Sequence, residues 1–260
     1  LVKNIKTFYE RHLPHYQPIG YTFFVTFRLT DSLPLKVILQ LKEERERDLK
    51  TIAGIDNAKV KKEKYKEYQS KYFGKFDKML DSSDYGPKWL KEDNIAQVVF
   101  DAILIRDKKE YDLIAFTIMP NHVHAVFTPI VGRDLSRPIK DVNENKVDIN
   151  VDLQESIVGR DLSRPIKDVS EIKVDINVDL QEPIVTEILR KLKGSTANKC
   201  NKLLNRSGAF WQHESYDHVV RDIEELKRIV NYVLNNPVKA GLCKKWEDWK
   251  YSYCNFELFI

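Results

Sequence analysis

Residues Tyr21 to Leu29 read YTFFVTFRL, a run of aromatic and β-branched side chains closed by Asp31, Ser32 and Pro34, and this composition predicts a strand. A second extended region comes much later. YDLIAFTIM (111–119) and HVHAVFT (122–128) are separated only by Pro120 and Asn121, which is hairpin spacing. Between these regions the pattern predicts helices at 35 to about 50, 57–81 and 88–108. The middle one is highly charged, with Tyr65, Tyr68, Tyr72 and Phe73 close to helical spacing, and reads as an amphipathic surface helix. Further helices are expected at 184–204 and 222–236. The last starts with Asp222 and Glu225 in capping-box spacing and is expected to stop at Pro237. Helices interspersed with strands around an antiparallel pair predict an α+β sandwich.

One stretch breaks the pattern. IVGRDLSRPIKDVNENKVDINVDLQES (130–156) is followed by a second copy at 157–183 that differs at three positions. Two copies are too few for a solenoid, so 130–183 is expected to be an exposed insertion, its VDINVDL segments able to pair as a two-stranded arm. The remainder is expected to form one domain over 1–260, with 35–108 a helical insertion within it. The repeat holds 8 Lys+Arg against 12 Asp+Glu, leaving 35 against 27 elsewhere, so the formal +4 conceals a more basic body. Residues 184–206 concentrate that charge in Arg190, Lys191, Lys193, Lys199, Lys202 and Arg206 against the single acid Glu187, which suits a polyanion or a solvated helix face. At 42% hydrophobic and 32% charged, with no apolar run near the length of a membrane span, the chain is expected to be a soluble folded protein. The first sixteen residues lack a secretory pattern, and Cys200, Cys243 and Cys254 lack metal-type spacing, so a reducing cytosol is expected.

Candidate chemistry falls on two elements. His122 and His124 alternate along a strand, so both imidazoles share one face while Val123, Ala125 and Phe127 take the other for packing helices. Such a pair can chelate a metal, or it can be hydrogen-bonded strand residues. Tyr232 and Asn236, four apart on the last helix, lie along one margin of the buried stripe made by Leu226, Ile229, Val230 and Val233. A phenol and an amide oxygen can then face one point; equally, the tyrosine can pack beside the core and the asparagine help end the helix.

The wording of several segments resembles the REP-associated tyrosine transposases, bacterial members of the HUH single-strand transposase superfamily. The segments are FFVTFRLTDSLP (23–34), WLKEDNIAQVVFDAIL (89–104), YDLIAFTIMPNHVHAVF (111–127), ILRKLKGSTANKCNKLLNRSGAFWQHESYDHVVRD (188–222) and YVLNNPVKAGL (232–242). The resemblance implies a ferredoxin-like sandwich whose central antiparallel sheet carries the histidines, with helices packed on one face. It implies His122, His124 and Asn236 as ligands of Mg²⁺ or Mn²⁺, and Tyr232 as a nucleophile that forms a 5′-phosphotyrosine. The substrate it implies is single-stranded or hairpin DNA of repetitive extragenic palindromes, in the bacterial cytoplasm, handled by a monomer or homodimer. DNA contacts are then expected from the basic cluster, from Arg221, and from Phe210 and Trp211 stacking on bases. Tyr216 with His218 is the rival catalytic pair. A catalytically silent palindrome binder and a zinc hydrolase are the competing readings, the second weakened because no HExxH motif accompanies the histidines.

Overall fold

The structure, a computed structural model, describes residues 8–10, 14–82, 85–130 and 183–256. The tandem repeat and its expected arm lie outside these residues. Strands β1 (Phe8–Glu10) and β2 (Pro14–Tyr16) form a small antiparallel pair. The main sheet has five strands in the order β6-β3-β5-β4-β7, where β3 is Phe23–Arg28, β4 Tyr111–Ile118, β5 His122–Pro129, β6 Tyr216–Val219 and β7 Ser252–Cys254. Every adjacent pair in it is antiparallel. The α+β class with a central antiparallel sheet therefore stands.

Period-two alternation divides the sheet into two faces. Phe23, Val25 and Phe27 of β3 and Val123, Ala125 and Phe127 of β5 point to one side, where helices α3 (Asp93–Leu104) and α4 (Ile184–Leu203) bring Ile95, Val99, Ile103, Ile188 and Leu192. Phe24, Thr26 and Arg28 share the opposite side with His122, His124 and Val126. A register shift between Leu113 and Ala115 in β4 turns both Ile114 and Ala115 toward this second side, after which Phe116 and Ile118 return to the first.

Helices cover both faces, not the single face expected. The second face is polar only around the histidines; Phe24, Ile114, Ala115 and Val126 still need cover, and α5 (Ile223–Lys239) supplies it with Val230, Val233 and Leu234. Helix α2 (Ala58–Ser82) completes the cover. Its first half is a surface helix paired with α1 (Leu35–Ala53), as its charge implies. Its second half descends onto the sheet, where Phe73 meets Phe24 with ring centroids 5.1 Å apart and the Leu80 carbonyl accepts from Asn121 Nδ2 at 3.0 Å.

Helix α5 starts where the sequence places it: Asp222 accepts from the Glu225 backbone N–H at 2.7 Å. It does not stop at Pro237. The helix runs through that residue to Lys239 because the proline removes one N–H while the last turn is closed by Ala240 N–H to Asn236 O and Leu242 N–H to Pro237 O. Asn236 thus keeps helical geometry one turn beyond Tyr232. The expected helix at 88–108 is a short 3₁₀ turn at Trp89–Lys91 followed by α3, which ends at Leu104. Where the chain enters α4 at Ile184, Gln17 Oε1 accepts from the Val185 backbone N–H at 3.1 Å, while Gln17 Nε2 donates to Asp217 on β6 at 2.7 Å.

Between α2 and the 3₁₀ turn, Gly86 sits at φ +79°, and an added Cβ would overlap the Asp31 carbonyl oxygen. Gly86→Ala is expected to lower the urea midpoint by an amount corresponding to more than about 1 kcal/mol. A midpoint equal to that of the parent would show that this close approach does not constrain the chain.

Candidate active site

Three elements converge on the second face of the sheet. Strand β5 presents His122 and His124, both fully buried, with their Nε2 atoms 3.0 Å apart. The other ring nitrogens are held from behind. His122 Nδ1 is 2.7 Å from Asn121 Oδ1, and since the Asn121 amide nitrogen donates to Leu80 O, this oxygen is the acceptor and the imidazole carries its proton on Nδ1. His122 Nε2 is therefore a bare lone pair. His124 Nδ1 lies 2.8 Å from Thr26 Oγ1, its cross-strand neighbour on β3.

Helix α2 adds Asp77, which the sequence reading did not single out. Its Oδ1 lies 3.1 Å from His124 Nε2 and 3.9 Å from His122 Nε2. Asp77, His122 and His124 form a group with one ligand atom each, all within 4.8 Å of one another. Asp81, one turn on, comes to 3.8 Å from His122 Nε2. Helix α5 adds Asn236, 1% exposed, whose Nδ2 donates to Asp77 Oδ2 at 3.3 Å. That bond commits the amide nitrogen and leaves Asn236 Oδ1 buried without a hydrogen-bond partner, as are Asp77 Oδ1 and Asp81 Oδ1. Tyr232 packs alongside, its ring centroid 5.7 Å from that of His124 and its hydroxyl buried without a partner. Phe24 is the hub of this cluster, meeting Phe73, His124, Tyr216 and Tyr232. Lys239 Nζ lies 4.7 Å from the centre of the Tyr232 ring.

Protonation follows from burial. Desolvation, reinforced by His124, pushes His122 down to about 3, so it is neutral at pH 7. Burial opposes the charge on Asp77, but His124, His122 and the Asn236 amide outweigh it and hold the carboxyl below its ordinary value. Burial and then the neighbouring Asp77 push Asp81 up to about 7. A neutral imidazole with its lone pair on Nε2, an ionised carboxylate and an unpartnered amide oxygen are the protonation states that cation ligands require. These residues fit a divalent metal. Two nitrogens with two or more oxygens suit Mn²⁺ better than an all-oxygen Mg²⁺ sphere, and the donor set also admits Zn²⁺.

No family model matches the sequence. A stretch of 52 residues, 20% of this chain, is 35% identical to a protein of Haemophilus influenzae whose name, and no more, places it among the REP-associated tyrosine transposases; the match covers 30% of that protein. A solved structure described as the REP-associated tyrosine transposase bound to a REP hairpin aligns over 94% of this chain and 80% of that one, at 16% identity and a TM-score of 0.44.

The remaining predicted residues lie elsewhere. Lys199 and Lys202 are exposed on α4. Arg190 makes two hydrogen bonds to Glu187, each 2.7 Å, and Lys191 lies 3.7 Å from the same carboxylate. Lys193 donates to His213 O and Ser215 Oγ, tying α4 to the segment that leads into β6. Arg206 stacks over Trp89 at 4.0 Å and donates to Asn201 Oδ1, and Arg221 approaches Glu225 at 3.9 Å. Trp211 belongs to the core: it is 6% exposed, packs against Phe27, and its indole N–H donates to Thr196 Oγ1. Phe210, also buried, stacks on Trp89. Neither ring is presented to a base. Of the rival pair, Tyr216 stacks on Phe73, and His218 Nε2 lies 3.1 Å from Glu225 Oε1, away from the other histidines. Among the described residues no helix is long and apolar enough to cross a membrane.

If Asp77 is a ligand, Asp77→Asn should weaken Mn²⁺ binding at least about tenfold by calorimetry, and His122→Ala should weaken it further. An unchanged affinity in Asp77→Asn would reduce Asp77 to a hydrogen-bond partner of Asn236.

Proposed function

We propose that this chain is a metal-dependent, single-tyrosine DNA nuclease and strand transferase of the REP-associated transposase type, acting on single-stranded or hairpin-forming DNA. The observation that carries the reading is the buried Asp77–His122–His124 group with Asn236 bonded to Asp77 and the Tyr232 ring packed 5.7 Å from that of His124, drawn from three elements far apart in sequence. The resemblance of MPNHVH and YVLNNPVKAGL to that family, and the short likeness to the Haemophilus influenzae protein, point the same way.

A phosphodiester is anionic and resists attack. His122, His124, Asn236 and Asp77 would hold a divalent cation, which when bound would supply charge neutralisation at the scissile phosphate. Tyr232 Oη attacks the phosphorus in line; the P–O3′ bond breaks, the phenolic proton is lost, and the leaving 3′-oxygen takes up a proton. The products are a 5′-phosphotyrosine and a free 3′-OH. Because one phosphodiester replaces another, attack by a later 3′-OH reverses the step and needs no nucleotide triphosphate. Asn236 orients the ligand set through Asp77, and Asn121 and Thr26 fix the imidazole rings. Lys239, over the phenol ring, favours a developing phenolate. The exposed lysines of α4 provide phosphate contacts along the bound strand.

The test is incubation with a hairpin oligonucleotide carrying single-stranded flanks and Mn²⁺, followed by denaturing electrophoresis. Wild type should form an SDS-resistant adduct that chelator abolishes, and Tyr232→Phe should form none while binding the DNA as tightly as wild type. An adduct that persists in Tyr232→Phe would transfer the nucleophile to another residue, with Tyr216 next to examine; tight binding with no adduct from wild type would leave a palindrome binder. In the same binding assay, Lys199→Ala and Lys202→Ala should each flatten the salt dependence by about one unit of slope or less. Unchanged slopes would take α4 out of the interface.

A further inference from the structure

A cavity of about 530 Å³ lies beside the histidine site, enclosed by α1, the second half of α2, the end of β3 and residues 212–216. It shares two walls with the site. Thr26, which holds His124 Nδ1, lines it, and so does Phe73, whose ring lies 5.8 Å from that of Tyr232 and 6.4 Å from that of His124. Whatever occupies this space sits next to the point where the ligands and the phenol meet.

The lining has a definite chemistry. Tyr72 and Phe76 add half-buried aromatic surface to that of Phe73 and Tyr216. Arg28, 7% exposed, donates to Ser32 Oγ and lies 5.9 Å from the centre of the Phe76 ring. Arg45 and Lys42 bring further positive charge from α1, against Glu46 and Glu214. Ring faces suit a base, a cationic surplus suits a phosphate, and a carboxylate accepts the N–H groups of a base edge. The volume falls within the range of small-ligand sites.

A second observation connects the cavity to the basic helix. A neighbouring cavity of about 430 Å³ runs beside α4, lined by Arg190 and Lys193 together with Glu187 and Asp217, and it shares Glu214 and Ser215 with the first. Residues 214–215 thus join the aromatic cavity to the groove beside α4. We propose that this cavity receives one unpaired nucleotide of the DNA, adjacent to the phosphate presented to Tyr232. The pocket rests on the nuclease reading for its substrate. It is built largely by the α1–α2 pair, which gives this helical segment a role in choosing the base.

The probe is a trinucleotide of thymidines flanking a central 2-aminopurine, whose fluorescence is quenched when it stacks on aromatic rings. With the full chain, quenching should saturate, and Tyr72→Leu and Arg45→Gln should each weaken it about tenfold, because neither side chain is in the core and each removes one half of the recognition. Quenching that does not saturate, or that both pocket variants retain, would overturn the pocket. The adduct assay separates the two ideas. Adduct formation without saturable quenching removes the pocket and leaves the nuclease, whereas saturable, variant-sensitive quenching without an adduct leaves a nucleotide pocket and removes the nuclease.

Discussion

At the centre of the second sheet face, His122 Nε2 and Asp77 Oδ1 lie 3.9 Å apart, with Asn236 Oδ1 buried beside Asp77. His124 Nε2 joins them at close range. Burial keeps the first imidazole neutral, Asn121 occupies its rear nitrogen, and the Asn236 amide nitrogen is spent on Asp77. Burial raises the cost of the Asp77 charge, and the site calls for positive charge or hydrogen-bond donors to offset it. Much of the second face is arranged to keep that requirement in place.

The scaffold meets the requirement by giving the sheet two unequal faces. One is wholly apolar and carries the bulk of the core against α3 and α4. The other mixes a small aromatic cluster around Phe24 with the polar atoms, and the β4 irregularity adds Ile114 and Ala115 to its apolar part. Aromatic cover lowers the local dielectric, which strengthens each electrostatic contact inside. The same cover encloses the Tyr232 hydroxyl.

Much of this was legible in the chain. The alternation of HVHAVF placed two imidazoles on one face, and the four-residue interval between Tyr232 and Asn236 placed their side chains on one side of α5. What escaped detection did so for physical reasons. Asp77 and Asp81 are two acids four apart in a helix crowded with charge, and only the tertiary path of α2 distinguishes them from solvated neighbours. Strands β6 and β7 have four and three residues, too short for alternation to register. Trp211 has the same letter whether it meets a base or the core, and the packing of Phe27 and the hydroxyl of Thr196 decided the matter. At Pro237 the rule that proline ends helices gave way because the final turn supplied substitute bonds.

Strand β5 begins at the histidines and finishes at Pro129, and the chain returns to the described core at Ile184, where Gln17 fastens the start of α4. Seven steps of strand put the exit roughly 23 Å from His122. That exit is the end of the strand remote from the histidine pair, and the entropy of closing a connection grows only slowly with its length. Strand length and the Gln17 bonds thus fix where the described chain leaves β5 and enters α4 independently of the histidine cluster.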